Sequence, residues 1–142
     1  MMISQERIAA LLPHGGAMCL LDSVTSLDAE RILCLATSHL SASNPMRRNG
    51  RLGILCGVEY AAQAMALHAA LTASAVARPN RGYLAALRSV AFHRDRLDDV
   101  RDMLAVEATC LHQEMQRAMY GFSVRTGARP LLDGRAVVVL RH

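Results

Sequence analysis

The stretch GVEYAAQAMALHAAL, residues 57–71, is apolar on nearly every face, yet it carries Glu59 and Gln63 four residues apart near its start. Residues four apart share one helix face. The wider window from Leu52 to about Ala77 is dense in Ala, Leu and Met and contains no Pro, which predicts one long helix. A helix that is hydrophobic all round must be covered by something large, and the chain around it has to supply the cover. A charged carboxylate in such surroundings is costly unless it is paired, hydrogen-bonded or protonated. On composition alone, a structural Glu59 favoured by the helix N-terminal dipole and a catalytic or ligand-binding Glu59 are equally open.

Ahead of the helix, Ser4 followed by Ile8, Leu11 and Leu12 predicts a short helix capped by Ser4 and stopped by Pro13. Two strands are expected over 18–27 and 31–40, joined around Asp28 and Ala29. The turn-rich SASNPMRRNGR, residues 41–51, follows as a loop. Beyond the helix, strands are expected over 83–92, 103–111, 118–125 and 135–140, with HRDRLDDVRD, HQEMQ and RTGARPLLDG as the connections. A buried helix beside at least four later strands implies a sheet curled around it. At 142 residues the chain is long enough for one domain and short for two.

Composition narrows the chemistry. Hydrophobic residues make up 52% and charged residues 20%, which suits a globular protein. With 4% aromatics and no Trp, base-stacking platforms are poorly served, and no nucleic-acid partner is expected. All sixteen basic residues are Arg, so an active-site lysine is excluded. Cys19, Cys34, Cys56 and Cys110 are scattered, and they are read as small buried side chains in a reducing compartment. No two histidines have metal-ligand spacing, and phosphate-loop and serine-hydrolase motifs are missing, so no metal or nucleotide cofactor is implied. The N-terminus lacks the pattern of a signal peptide and the long helix is interrupted by polar residues, so the expectation is a cytoplasmic protein with no membrane span.

Three further groups stand out. Arg47, Arg48 and Arg51 form a basic knot suited to a phosphate or an acidic protein face, or else a solvated loop. His14 lies in LLPHGG after the first helix, and His39 ends the second expected strand. His68 is nine positions beyond Glu59 and so on the opposite helix face, where a satisfied or surface histidine is expected.

These parts together resemble a known family. IAALLPHGGAMCLLDSV resembles the opening of the β-hydroxyacyl-acyl-carrier-protein dehydratases, and VEYAAQAMA resembles their central-helix motif. GYLAALRSVAFHR and LLDGRAVVVL resemble the strand after the helix and the last strand, so the resemblance spans about residues 3–140. NPMRRNGR and EYAAQAMALH further resemble a divergent dehydratase-like branch linked to aryl-polyene-type lipid pathways.

The resemblance implies an α+β hotdog fold, an antiparallel sheet wrapped around the long central helix as one domain over 1–142, paired as a homodimer or larger homo-oligomer. It places Glu59 on the family's catalytic carboxylate, with Gln63 orienting it or the thioester. It also implies that acyl carrier protein or coenzyme A carries the substrate. Its dehydratases use a loop histidine about fourteen residues before that Glu, where this chain has Pro45, or Gly50 when counted from the loop's start. His14 is then the candidate second group. Backbone N–H groups at Cys56 and Gly57 are candidates to polarise the thioester carbonyl, and the Arg47, Arg48 and Arg51 knot would meet the carrier. The reading preferred is a 3-hydroxyacyl-thioester dehydratase. The alternatives are a thioesterase using Glu59 alone and a non-catalytic carrier-binding subunit.

Overall fold

The computed structural model describes residues 3–12, 18–72 and 81–141. Helix α1 (Gln5–Leu11) leads into strands β1 (Ser23–Leu27) and β2 (Arg31–Ala36), then helix α2 (Gly57–Thr72). Strands β3 (Arg81–Phe92), β4 (Leu104–Gln113), β5 (Arg117–Thr126) and β6 (Arg129–Arg141) follow. All neighbouring strands are antiparallel, in the order β1-β2-β4-β5-β6-β3. This is the hotdog arrangement expected, a curled sheet around one long helix.

Alternation along the strands builds the face that receives α2. Ala118, Tyr120, Phe122 and Val124 of β5 are buried, as are Leu104, Val106 and Ala108 of β4. Helix α2 answers with Val58, Tyr60, Ala61, Ala64, Met65 and Leu67, all buried. Residues 54–72 are apolar and long enough to cross a bilayer by composition, and here half of that stretch is buried inside the protein.

Four expected boundaries move. The expected strand 18–27 is a ladder strand only from Ser23, because Leu20 bonds to side chains: its N–H donates to Gln63 Oε1 and its carbonyl accepts from Ser38 Oγ. The second strand stops at Ala36 and a 3₁₀ turn, Ser38–Leu40, takes the place of its end. The helix begins at Gly57 behind a 3₁₀ turn, Ile54–Cys56, and its expected end at Ala77 lies outside the described residues, as does the Pro13 stop. The expected connection 125–134 is mostly strand: Gly127, at φ +57°, turns the chain and β6 starts at Arg129. Pro130 is tolerated there because it sits where the β5–β6 register shifts. Ser4 stands at the N-cap of α1 without a side-chain capping bond.

The crossover between β3 and β4 fastens the chain entering α2. Leu97 N–H donates to Leu52 O at 2.8 Å, Ile54 N–H to Asp95 O at 2.9 Å, and Leu52 N–H to Asp98 Oδ1 at 2.8 Å. The guanidinium of Arg96 bonds to the same carboxylate and holds Asp98 well below the usual range.

One glycine is dictated by close approach. A Cβ on Gly134 of β6 would lie 3.0 Å from the Val90 backbone and 3.1 Å from Phe122 Cζ. Gly134→Ala should therefore cost about 1–3 kcal/mol through overpacking, read as a lower urea midpoint at unchanged m-value. An unchanged midpoint would show that the β3–β6 pair yields freely at this point.

Candidate functional site

Glu59 is the acid in the first turn of α2 and is half-buried, whereas the other polar side chains of the helix interior, Gln63 and His68, are buried. Gln63 is 2% exposed and bonds in three directions. Its Oε1 accepts Leu20 N–H at 2.9 Å, and its Nε2 donates to Met18 O at 2.6 Å and to Glu59 Oε1 at 3.4 Å. A backbone N–H can only donate, so the contact with Leu20 fixes the amide orientation and leaves both Nε2 hydrogens for Met18 and Glu59. Gln63 thus ties the segment Met18–Leu20 to the helix and points a donor at Glu59.

A second chain of hydrogen bonds holds the same segment from the other side. Ser38 Oγ donates to Leu20 O at 2.7 Å, so at its 2.7 Å contact with Tyr60 it accepts the phenol proton. Tyr60 OH in turn accepts from Asn44 Nδ2 at 3.2 Å. Burial pushes the Tyr60 phenol up from its ordinary range, which keeps it neutral and able to donate. Asn44 Oδ1 also accepts Met46 N–H at 2.9 Å, closing an Asx turn around Pro45. Tyr60, Ser38 and Asn44 were not among the residues that the sequence singled out. A phenol within an otherwise apolar helix and the Asn-Pro dipeptide were the available signals.

The arginine knot divides into two kinds of residue. The Arg47 guanidinium donates to three carbonyls, Ser41 O at 2.8 Å, Gly50 O at 2.7 Å and His39 O at 2.9 Å, so it braces its own loop and is not displayed to a partner as expected. Arg48 and Arg51 exchange backbone hydrogen bonds across Asn49 and Gly50, at φ +53° and +75°, the geometry of a type I′ turn. Both side chains are exposed and outside every ion pair among the described residues.

The amides expected to polarise a carbonyl are occupied. Cys56 N–H donates to Gly53 O at 3.0 Å and Gly57 N–H points back to Ile54 O, because the 3₁₀ turn extends the helix start backwards. A Cβ on Gly57 would press on the tip of the Leu132 side chain. The Cys56 thiol is pushed up, chiefly by burial.

Among the described histidines, none bonds to Glu59. His39 Nε2 reaches Val100 O and Asp102 O, both at 2.9 Å. His68 meets Tyr120 OH at 2.8 Å and Asp28 O at 3.1 Å. His93 bonds to Asp133 and His112 to Glu114. His14 lies outside the described residues. His68 is thus buried and satisfied, and His39 is in a 3₁₀ turn instead of a strand.

Residues 6–141 match the model of the family described as "ApeP-like: ApeP dehydratase". The chain belongs to the ApeP-like dehydratase family. A chain of the dehydratase heterocomplex ApeI:P from Xenorhabdus doucetiae is similar in structure to this ApeP-like chain, with a TM-score of 0.80 and 20% identity over 99% of this chain and 92% of that one. The S. sahachiroi protein AziG gives 0.67 and 15% over 93% and 99%. A mutant of the thioesterase PA1618 from Pseudomonas aeruginosa gives 0.70 and 11% over 98% and 94%. At these identities the structural likeness establishes the fold. No curated protein matches the chain.

Replacing Gln63 by Leu should leave the Leu20 N–H and the Met18 carbonyl without their partner, at a cost of about 1–3 kcal/mol for an unsatisfied buried group. Faster amide hydrogen exchange at Leu20 is the direct readout, and unchanged exchange would show that another group holds the segment. Burial lowers the pKa values of both His39 and His68, so the unfolded chain binds more protons than the folded one at mildly acid pH. Their contribution to stability is full above the ordinary histidine value of about 6.5 and is lost as pH falls from there through the lowered folded values. Denaturation midpoints between about pH 8 and pH 5 should fall on acidification, and His68→Gln should flatten that slope. An equal slope in the variant would remove His68 from the account.

Proposed function

We propose that this chain is a 3-hydroxyacyl-thioester dehydratase subunit in fatty-acid or polyene-type lipid synthesis, with Glu59 as its acid/base. The observation that carries the reading is the Glu59–Gln63 pair. The other buried polar groups of α2 are committed to backbone or core partners, while the Glu59 carboxylate is half-open and receives, among the described residues, one donor, from Gln63. Membership of a dehydratase family supports the reaction class. Dehydration removes an α-proton from the thioester and protonates the β-hydroxyl as it leaves as water, so it calls for two proton-transfer groups. Glu59 supplies one.

The second group comes from a neighbouring subunit or from His14. Pairing is supported by β3, an edge of the sheet whose Leu84 and Leu87 are 41% and 39% exposed. It is also supported by the stripe Leu55, Glu59, Ala62, Ala66 and Ala69, spaced four and three apart and not fully buried. A homodimer through β3 is the simpler assembly. A heteromeric one has its own support: the ApeI:P structure is a dehydratase heterocomplex, and no described histidine here reaches Glu59. In either assembly the chain is read as one hotdog domain acting on acyl carrier protein or coenzyme A thioesters. Four free cysteines fit a cytoplasmic site of action.

The test is single-turnover assay of 3-hydroxyacyl and 2-enoyl thioesters, with the chain alone and with co-expressed hotdog partners. Loss or addition of water is expected, and Glu59→Gln should lower kcat by about 10²-fold or more, as for loss of a general acid/base. Turnover surviving that change within a few-fold in a folded protein would remove Glu59 from the mechanism. Release of free thiol would instead mark a thioesterase, and carrier binding without turnover a non-catalytic subunit.

A further inference from the structure

Leu20 lies in a stretch that the sheet does not hold. Strand β1 begins at Ser23, and among the described residues neither backbone group of Leu20 has a main-chain partner. The residue is 1% exposed, so both groups are out of water and depend on side chains. Its N–H donates to Gln63 Oε1 at 2.9 Å, and its carbonyl accepts from Ser38 Oγ at 2.7 Å. Ser38 opens the 3₁₀ turn just past the end of β2, so the place of Leu20 beside Gln63 is set from that turn.

The protons of this network run one way. Met46 N–H occupies Asn44 Oδ1, which leaves Asn44 Nδ2 to donate, to Tyr60 OH at 3.2 Å and to Ser38 O at 3.0 Å. The fully buried Tyr60 phenol then has its own proton for Ser38 Oγ at 2.7 Å, and the Ser38 proton goes to Leu20 O. Donors aligned along a buried chain strengthen one another. On the other side of Leu20, its N–H and the Met18 carbonyl hold the Gln63 amide with Nε2 toward Glu59. A flip of that amide would break both backbone bonds and turn an oxygen on the carboxylate. The two peptide groups flanking Leu20 are separate, so the link through this residue is one of position: Ser38 holds the residue whose N–H orients the amide.

We infer that Ser38 and Tyr60 are positioning residues for Glu59, acting through Leu20 and the Gln63 amide. This rests on the reading of Glu59 as the acid/base. Tyr60 follows Glu59 directly on α2, and adjacent helix residues do not face each other. The phenol therefore acts on the carboxylate by a detour, out to the turn after β2, across to the segment before β1, and back to the helix one turn beyond Glu59.

The full chain, with its partner subunit where turnover needs one, tests this in Tyr60→Phe, Ser38→Ala and Ser38→Thr. The first removes only a hydroxyl, the second also breaks the bond to Leu20, and the third keeps it. In a nitrogen-15 correlated spectrum the Gln63 side-chain amide, assigned by its absence in Gln63→Leu, should move toward the position of a free glutamine amide in Tyr60→Phe and Ser38→Ala and stay in Ser38→Thr. Turnover of a 3-hydroxyacyl thioester should show kcat lower by about fivefold to tenfold in the first two, the scale of one lost hydrogen bond, with KM nearly unchanged. His68→Gln, which loses buried bonds to Tyr120 and Asp28 instead, should leave both readouts unchanged. Tyr60→Phe keeps the ring and carries the test alone if Ser38→Ala does not fold. With Glu59 required for turnover, an unchanged kcat in Tyr60→Phe and Ser38→Ala overturns the proposal, as does an equal fall in His68→Gln or Ser38→Thr. The spectrum needs no substrate and separates the two readings. An amide that moves in a chain whose turnover survives Glu59→Gln sinks the acid/base role and leaves the bonds that set Gln63 standing, and an amide that stays in both variants sinks the positioning alone.

Discussion

A helix without a polar face cannot rest in water, and the need to cover α2 organises this molecule. Val58, Tyr60, Ala61, Ala64, Met65 and Leu67 are buried together with the inward rows of β4 and β5, and an antiparallel sheet reaches around the helix only by curling. Leaving such side chains exposed would cost about 1.5–3 kcal/mol for each large one. The curl in turn leaves the segment before β1 within reach of Gln63 on the helix. It also makes the crossover from β3 to β4 pass beneath the helix start, where the chain entering α2 is fastened.

Covering the helix creates a second constraint, since every polar group taken out of water needs a partner. Gln63 meets the backbone of Met18 and Leu20, Tyr60 meets Ser38 and Asn44, and His68 meets Tyr120 and Asp28. These bonds are long-range in sequence, so each one ties α2 to a different part of the sheet or loops. Glu59 differs from them in being half-open. The same bonds that stabilise the helix interior also fix the amide beside the carboxylate, which joins packing to the proposed chemistry.

The loop from 38 to 51 illustrates how a charge run is misread. Three arginines close in sequence suggest one basic surface, yet Arg47 turns inward to three carbonyls and only Arg48 and Arg51 are displayed. Guanidinium donors satisfy buried backbone as readily as they meet phosphate, and composition does not say which. Arg94 and Arg96, which line one surface cleft with Arg51, lie more than forty residues later, in a stretch that reads as an ordinary polar connection.

Hydrophobic pattern is enough to specify the long helix, the number of strands, the α+β class and the pair Glu59 and Gln63 on one face, because these depend on local periodicity and on residues within a turn of each other. The resemblance of the helix and flanking strands points to the dehydratase family without any geometry. Folding in three dimensions settles where strands give way to side-chain bonds, spends the amides of Cys56 and Gly57 within a 3₁₀ turn, and makes Arg47 a brace. The Leu20–Gln63 bond turns on a donor finding its acceptor across 43 residues, and the others join groups at shorter separations that periodicity does not reveal. A sequence lists the donors and acceptors, and the fold alone brings them within about three ångströms.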